Sequence, residues 1–248
     1  DHDYRFNDAD TINDFPISHE LGVQNFREQL PVVNPDDPNA KTYRTHRMSK
    51  DLQIWLLEGR DYRSPNKMED GSDKTLLGFD QLNWLKETLL KSDASFKIII
   101  SPTPMVGPDD AYKSDNHVNP KGFRYEGEAL FKWFIDNDFL EKNLYLICGD
   151  RHWQYHAMHP SGFEEFSTGA LVDNNSRAGR LAGDPRSTDP DGLIKQFYIQ
   201  GDRKSASGGF LSVTVNRENG SPIASFKFYD EKGIVQYEVK KTKAKEIF

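Results

Sequence analysis

Three short runs along the chain are apolar on both faces: residues 52–57 of "LQIWLLEGRDYR", residues 96–101 of "FKIIIS", and the body of "NLYLICGD". Runs of that length without alternation are the mark of strands covered on both sides. Between them the period changes. "GFDQLNWLKETLL" places Leu82, Leu85 and Leu89 at helical spacing with Trp84 and Thr88 on an adjoining face, which predicts a helix over 78–90. Leu130, Phe131 and Phe134 predict a second helix from about Glu126 to Asn137. Strand, helix, strand, helix, strand is the order of an α/β arrangement. Past Glu164 the pattern becomes alternating: "GGFLSVTVN", "IASFKFYD" and "IVQYEVKK" read as antiparallel strands, the last two a hairpin across the "EKG" turn. They are expected to form a second sheet packed on the first. Residues 11–42, rich in Pro, Asn and Asp, read as loop. The 248 residues show no repeat and form one mixed α/β domain on this reading.

Composition narrows the functional classes. Sixteen Phe, ten Tyr and four Trp supply enough core to exclude a disordered chain. A net charge of −7 without a basic tract argues against a nucleic-acid backbone as the specific partner, although a bound cation would let an acidic protein take a phosphorylated one. No stretch approaches the ~20 apolar residues of a membrane span. One cysteine, Cys148, excludes an internal disulfide framework, and its place in a buried strand makes it core.

In an α/β fold, ligands gather where strands end. After "IWLL" comes "EGRDYR", after "FKIII" comes "SPTPM", and after "LYLIC" comes "GDRHWQYH". If the last strand continues, Asp150 and His152 share a face, offering a carboxylate and an imidazole to a cation. The plain alternative is a turn acid beside a surface histidine. The opening "DHDYRFNDAD" places His2 between Asp1 and Asp3, where an acid can orient the imidazole, and adds the Asn7 amide oxygen; taken alone it also suits a solvated acidic segment. Arg60 and Arg63 carry guanidinium forks suited to a phosphate or to structural ion pairs. His117 lies in a long polar loop, and Trp153 either shapes a pocket or packs under a strand end. His156 and His159 read as structural or surface histidines.

These segments together resemble the PhoD-like alkaline phosphatases and phosphodiesterases, within the calcineurin-like metallophosphoesterases. "DHDYRFNDAD" is similar to the family's W-D-D-H-D-Y-x-x-N-D-x-D motif. "EGRDYR" resembles its D-x-R-x-Y-R strand end, "LLGFDQLNWL" its L-G-x-x-Q-x-x-W-L segment, and "GDRH" its G-D-x-H. Each is weakly specific; four in the family's order are strongly so. The resemblance implies a four-layer α/β/β/α sandwich of two packed mixed sheets flanked by helices. Residues 1–248 would be the C-terminal portion of a catalytic domain whose N-terminal part precedes Asp1. It also implies two metal ions, iron with calcium in some members and other divalent metals elsewhere, and a periplasmic or secreted location. Carried over, Asp1, Asn7, Asp150 and His152 are metal ligands and His2 is the general acid, oriented by Asp3. Arg60, Arg63, His117 and Trp153 are candidates for substrate contact. Two positions depart from the pattern: Ser101 and Thr103 stand where a histidine is usual, and Glu58 replaces an aspartate. The reaction implied is hydrolysis of phosphomonoesters or phosphodiesters, on a phosphorylated small molecule or a phosphodiester polymer. A non-catalytic phosphate- or glycan-binding protein on the same fold is the alternative.

Overall fold

In the computed structural model, residues 9–12, 15–29, 37, 39–200 and 206–242 are described. Asp1, His2, Asp3 and Asn7 lie outside them. The two cores follow from the alternation inside the apolar runs. Along β3 (Phe96–Ser101) and β4 (Leu144–Cys148), Ile99, Leu144, Leu146 and Cys148 face the helices α2 (Phe79–Lys91) and α3 (Arg124–Asp136). Phe96, Ile98, Tyr145 and Ile147 face the other way, onto a second sheet. β2 (Leu52–Leu56) does the same, with Trp55 toward the helices, its indole N–H donating to Thr88 Oγ1 at 2.9 Å.

Seven strands form the first sheet, in the order β1-β2-β3-β4-β6-β5-β7, where β1 is Arg44–Arg47, β5 Gln154–Met158, β6 Glu164–Thr168 and β7 Lys195–Ile199. β2, β3, β4 and β6 run parallel, and β1, β5 and β7 antiparallel to their neighbours. The second sheet is β10-β9-β8, with β8 Gly209–Glu218, β9 Ser221–Asp230 and β10 Val235–Thr242, all antiparallel as the alternation predicts. Ala224, Phe226 and Phe228 of β9 meet the first sheet; the Phe226 and Phe166 rings stack at 4.1 Å. At the sheet margin Arg217 of β8 forks onto Asp51 with bonds of 2.7 and 2.8 Å. Helix layer, seven-stranded sheet and three-stranded sheet are the layers seen among the described residues.

Residues 11–42 are not all loop: α1 spans His19–Gln29. None of its residues is buried, so no core stripe announces it; the local signal is Ser18, whose Oγ accepts the Leu21 amide as an N-cap, followed by Glu20 in the first turn. α2 starts after Gly78, whose φ of 77° and close approach to Tyr62 leave no room for a Cβ.

Truncating Phe226 removes a ring from the centre of the inter-sheet core. Phe226→Ala should cost about 3–5 kcal/mol, measured by urea unfolding. A second expectation concerns pH. His156 is buried between Phe166 and Phe197, with Nδ1 3.0 Å from the Tyr237 hydroxyl and Nε2 2.6 Å from Glu164, which also pairs with Lys241. Burial lowers its pKa, opposed by Glu164. The unfolded imidazole therefore takes up its proton first, near pH ~6.5. Its contribution to stability is full above that pH and lost as pH falls toward the folded pKa. The loss of stability between pH 6.5 and 5 should be smaller in His156→Gln than in the parent protein; equal slopes would refute the assignment.

Candidate functional site

The carboxyl ends of β2, β3, β4 and β6 lie along one edge, because these four strands are parallel. Their loops touch. A Cβ on Gly59, beyond β2, would lie 2.8 Å from Pro102 beyond β3, and one on Gly149, beyond β4, 3.4 Å from the Pro102 carbonyl. The chain then crosses the end of β6 to reach β5, so the "GDRH" turn sits over the middle of this edge.

β4 does not continue through Asp150, as the same-face argument required. It stops at Cys148, and Asp150 adopts φ 64° in a turn that runs to the start of β5. Asp150 and His152 are thus placed by a turn, not by strand alternation. The Asp150 carboxylate is buried against the Arg151 guanidinium, which also pairs with Asp109. Burial raises the Asp109 pKa, against the pull of Arg151. His152 Nδ1 lies 2.6 Å from the Asn175 carbonyl. A carbonyl accepts only, so Nδ1 carries the proton and Nε2 the lone pair.

Beyond β2, Glu58 folds back on its own loop. Its Oε1 accepts the Arg60 amide at 2.9 Å and its Oε2 the Asp61 amide, and burial raises its pKa. Arg60 donates to the Ala9 carbonyl, while Asp10 Oδ2 accepts the Asn66 amide at 2.8 Å. Ala9 and Asp10 are buried. The segment immediately following the Asp1–Asp8 run is therefore fastened to the end of β2. An apolar cleft of about 310 Å³ lies beside it, lined by Val23 and Phe26 of α1 and by Leu57, Arg60 and Pro102.

Two of the expected substrate contacts, Arg63 and His117, are buried. Arg63 is 1% exposed; its Nε donates to the Gly59 carbonyl at 2.8 Å and its Nη2 to that of Asp115 at 3.3 Å. His117 is 2% exposed and pairs through Nε2 with Glu126 at 2.8 Å, beneath α3. Both join loops because each offers donors that buried carbonyls or carboxylates need. Trp153 is buried with one edge on a second cleft. Ser101 Oγ donates to the Thr103 carbonyl at 2.7 Å, so the end of β3 turns its hydroxyl inward.

Nothing in the sequence singles out Glu165 of β6. Its carboxylate accepts the consecutive amides of Met105, Val106 and Gly107 at 2.6, 3.1 and 2.9 Å, and the Tyr155 hydroxyl at 2.7 Å. Among the described residues no group of three or more His, Cys, Asp and Glu is placed to hold a metal ion.

A family model described as PhoD-like phosphatase matches residues 2–218. The chain belongs to the PhoD-like phosphatase family. The solved "Structure of PhoD" is similar to it with a TM-score of 0.64 at 17% identity, over 94% of this chain and 49% of that one. The chain thus spans about half the length of the PhoD structure it matches. No curated protein matches. The family expectation from the four motifs is borne out, and the likeness in fold extends to the mixed α/β arrangement with two sheets.

Glu165→Ala would strand three adjacent buried amides, each costing about 1–3 kcal/mol. A loss of at least ~3 kcal/mol in chemical denaturation is expected, with a smaller loss for Glu165→Gln, which keeps an acceptor. Equal losses would show that hydrogen bonding is not what Glu165 supplies.

Proposed function

We propose that this chain carries part of the catalytic site of a metal-dependent phosphoesterase, with two metal ions and a phosphomonoester or phosphodiester as substrate. One observation carries the reading beyond family membership: the Arg60 and Asn66 bonds to Ala9 and Asp10 bring the end of the "DHDYRFNDAD" run to the edge that also bears the "GDRH" turn. Two sequence motifs some 140 residues apart then serve one site.

The donors present fit a metal in kind. His152 has Nδ1 held by a carbonyl, the arrangement that orients an imidazole for ligation through Nε2. Asp150 supplies a carboxylate whose charge Arg151 already partly balances. Asp1 and Asn7, outside the described residues, complete the proposed ligand set. Bound metal ions supply Lewis acidity toward a phosphoryl oxygen and lower the pKa of water. His2, oriented by Asp3, gives its proton to the leaving alkoxide. Arg60 is proposed to hold the segment that follows the His2 motif, through the Ala9 carbonyl, rather than the phosphate itself. Iron with calcium, a four-layer sandwich in the whole protein and a periplasmic or secreted location are proposed from the family resemblance. No described helix is long and apolar enough to cross a membrane.

The test compares the parent protein with His152→Ala and His2→Ala, each assayed for bound metal by mass spectrometry and for turnover. His152→Ala should lower metal content and reduce turnover by roughly 10²-fold or more. His2→Ala should keep its metals and lose about 10²–10⁴-fold on an alkyl phosphate, but far less on a nitrophenyl ester, whose leaving group needs no proton. Phosphate binding without turnover at every metal loading would favour the non-catalytic alternative, which the inward-turned Ser101 hydroxyl at the end of β3 also suits.

A further inference from the structure

The loop that leaves β6 returns over the "GDRH" turn and builds one wall of a cleft of about 660 Å³. Three guanidinium groups, Arg177, Arg180 and Arg186, line it against two carboxylates, Asp110 and Asp184. Arg180 pairs with both of those acids and Arg186 with Asp184. Arg177 is left over. It is exposed, and among the described residues its guanidinium meets only the His152 ring, 3.1 Å from Nδ1. That nitrogen also faces the Asn175 carbonyl, so it can take at most one of the five guanidinium donors, and no carboxylate among the described residues answers the charge. A guanidinium with five donors and no acceptor, inside a cleft, is arranged for an anion from outside.

The wall is built rather than casual. The Arg177 amide donates to the His152 carbonyl at 2.9 Å. Gln196 ties the far side of the loop, accepting the Ala182 amide and donating to the Arg180 carbonyl, each at 2.9 Å. Gly179 lies directly on the Trp153 indole, where a Cβ would come within 2.7 Å of Nε1. That indole N–H is buried and has no acceptor among the described residues. The cleft thus holds an unsatisfied donor beneath the loop and an unmatched cation on it.

We propose that this cleft, with Arg177 as its principal contact, binds a second phosphate of the substrate, beyond the one that is hydrolysed. This rests on the phosphoesterase reading above. It assigns the substrate to molecules carrying more than one phosphate, either a compact bisphosphate or phosphates spaced along a diester chain.

The experiment measures calorimetric binding to the metal-loaded protein of two pairs of probes: a hexose bisphosphate against its monophosphate, and a thymidine trinucleotide against thymidine monophosphate. The parent should bind at least one longer probe about tenfold more tightly than its partner, less so at high salt. Arg177→Gln should lose that preference and Arg177→Lys keep part of it. Gly179→Ala, which moves the loop without changing charge, should weaken the preference as well; circular dichroism checks that each variant is folded. Preference for the bisphosphate alone identifies a compact substrate, and for the trinucleotide alone a spaced chain. No preference for either, or one that survives in Arg177→Gln, overturns the subsite. Arg177-dependent preference in a protein that hydrolyses no phosphoester would keep the subsite and end the phosphoesterase reading; turnover of a nitrophenyl phosphate without any such preference would do the reverse.

Discussion

The carboxyl edge of the sheet depends on one buried carboxylate. Glu165 stands on β6 with no exposed surface and accepts three successive amides of the segment that leaves β3, together with a tyrosine hydroxyl from β5. Residues 103–110 are buried, so their amides need acceptors that no strand or helix provides. A single side chain from the neighbouring parallel system takes three of them, Thr188 and Asp109 take those of Asp109 and Asp110, and together they fix where the loop beyond β3 runs. Burial raises the Glu165 pKa while the amides and the phenol oppose it, the balance expected when an acid is desolvated but fully hydrogen-bonded. Glu126 repeats the arrangement on the helical side, accepting the amides of Leu76 and Leu77, the Thr75 hydroxyl and the His117 ring. The long loops at the edge are ordered because two buried glutamates serve as their acceptors.

How far this was legible in the sequence follows from what each signal measures. The strands at 96–101 and 144–148 and the helix near 79–91 announce themselves because burial on both faces, or on one helical stripe, dictates residue type. The last three strands show their alternation for the same reason. β1 is written "RTHR" and gives no such signal; it exists through backbone pairing with β2 at the sheet margin. α1 buries nothing and is equally silent. The motifs place the candidate site at strand ends that share one edge of the sheet, but period 2 does not join Asp150 to His152, because the positive φ of Asp150 ends the strand geometry. Arg63 and His117 show a different kind of ambiguity. A buried arginine or histidine and a substrate-binding one use the same donors, and only burial separates them. Glu165 and Glu126 could not be found from sequence, since their partners are amides 49 to 60 residues away.

The candidate site and the adjoining cleft are held by the same piece of chain. His152 owes its tautomer to the Asn175 carbonyl, and Arg177, two residues further, takes its place from the His152 carbonyl. That piece is fixed in turn from the base of the second sheet: Asp173 accepts the Gly208 amide at 2.6 Å and Ser176 donates to the Ser207 carbonyl at 2.7 Å, just before β8 begins. Gln154, next to Trp153, donates to the Tyr229 carbonyl of β9 at 3.0 Å. The packing of the two sheets therefore reaches the imidazole through a few short steps: β9 to Gln154, the start of β8 to Asn175, and both to the turn that carries His152. A change in how the sheets pack would rotate a candidate ligand and shift the cleft wall together. The three-stranded sheet thus belongs to the candidate site's support as much as to the core.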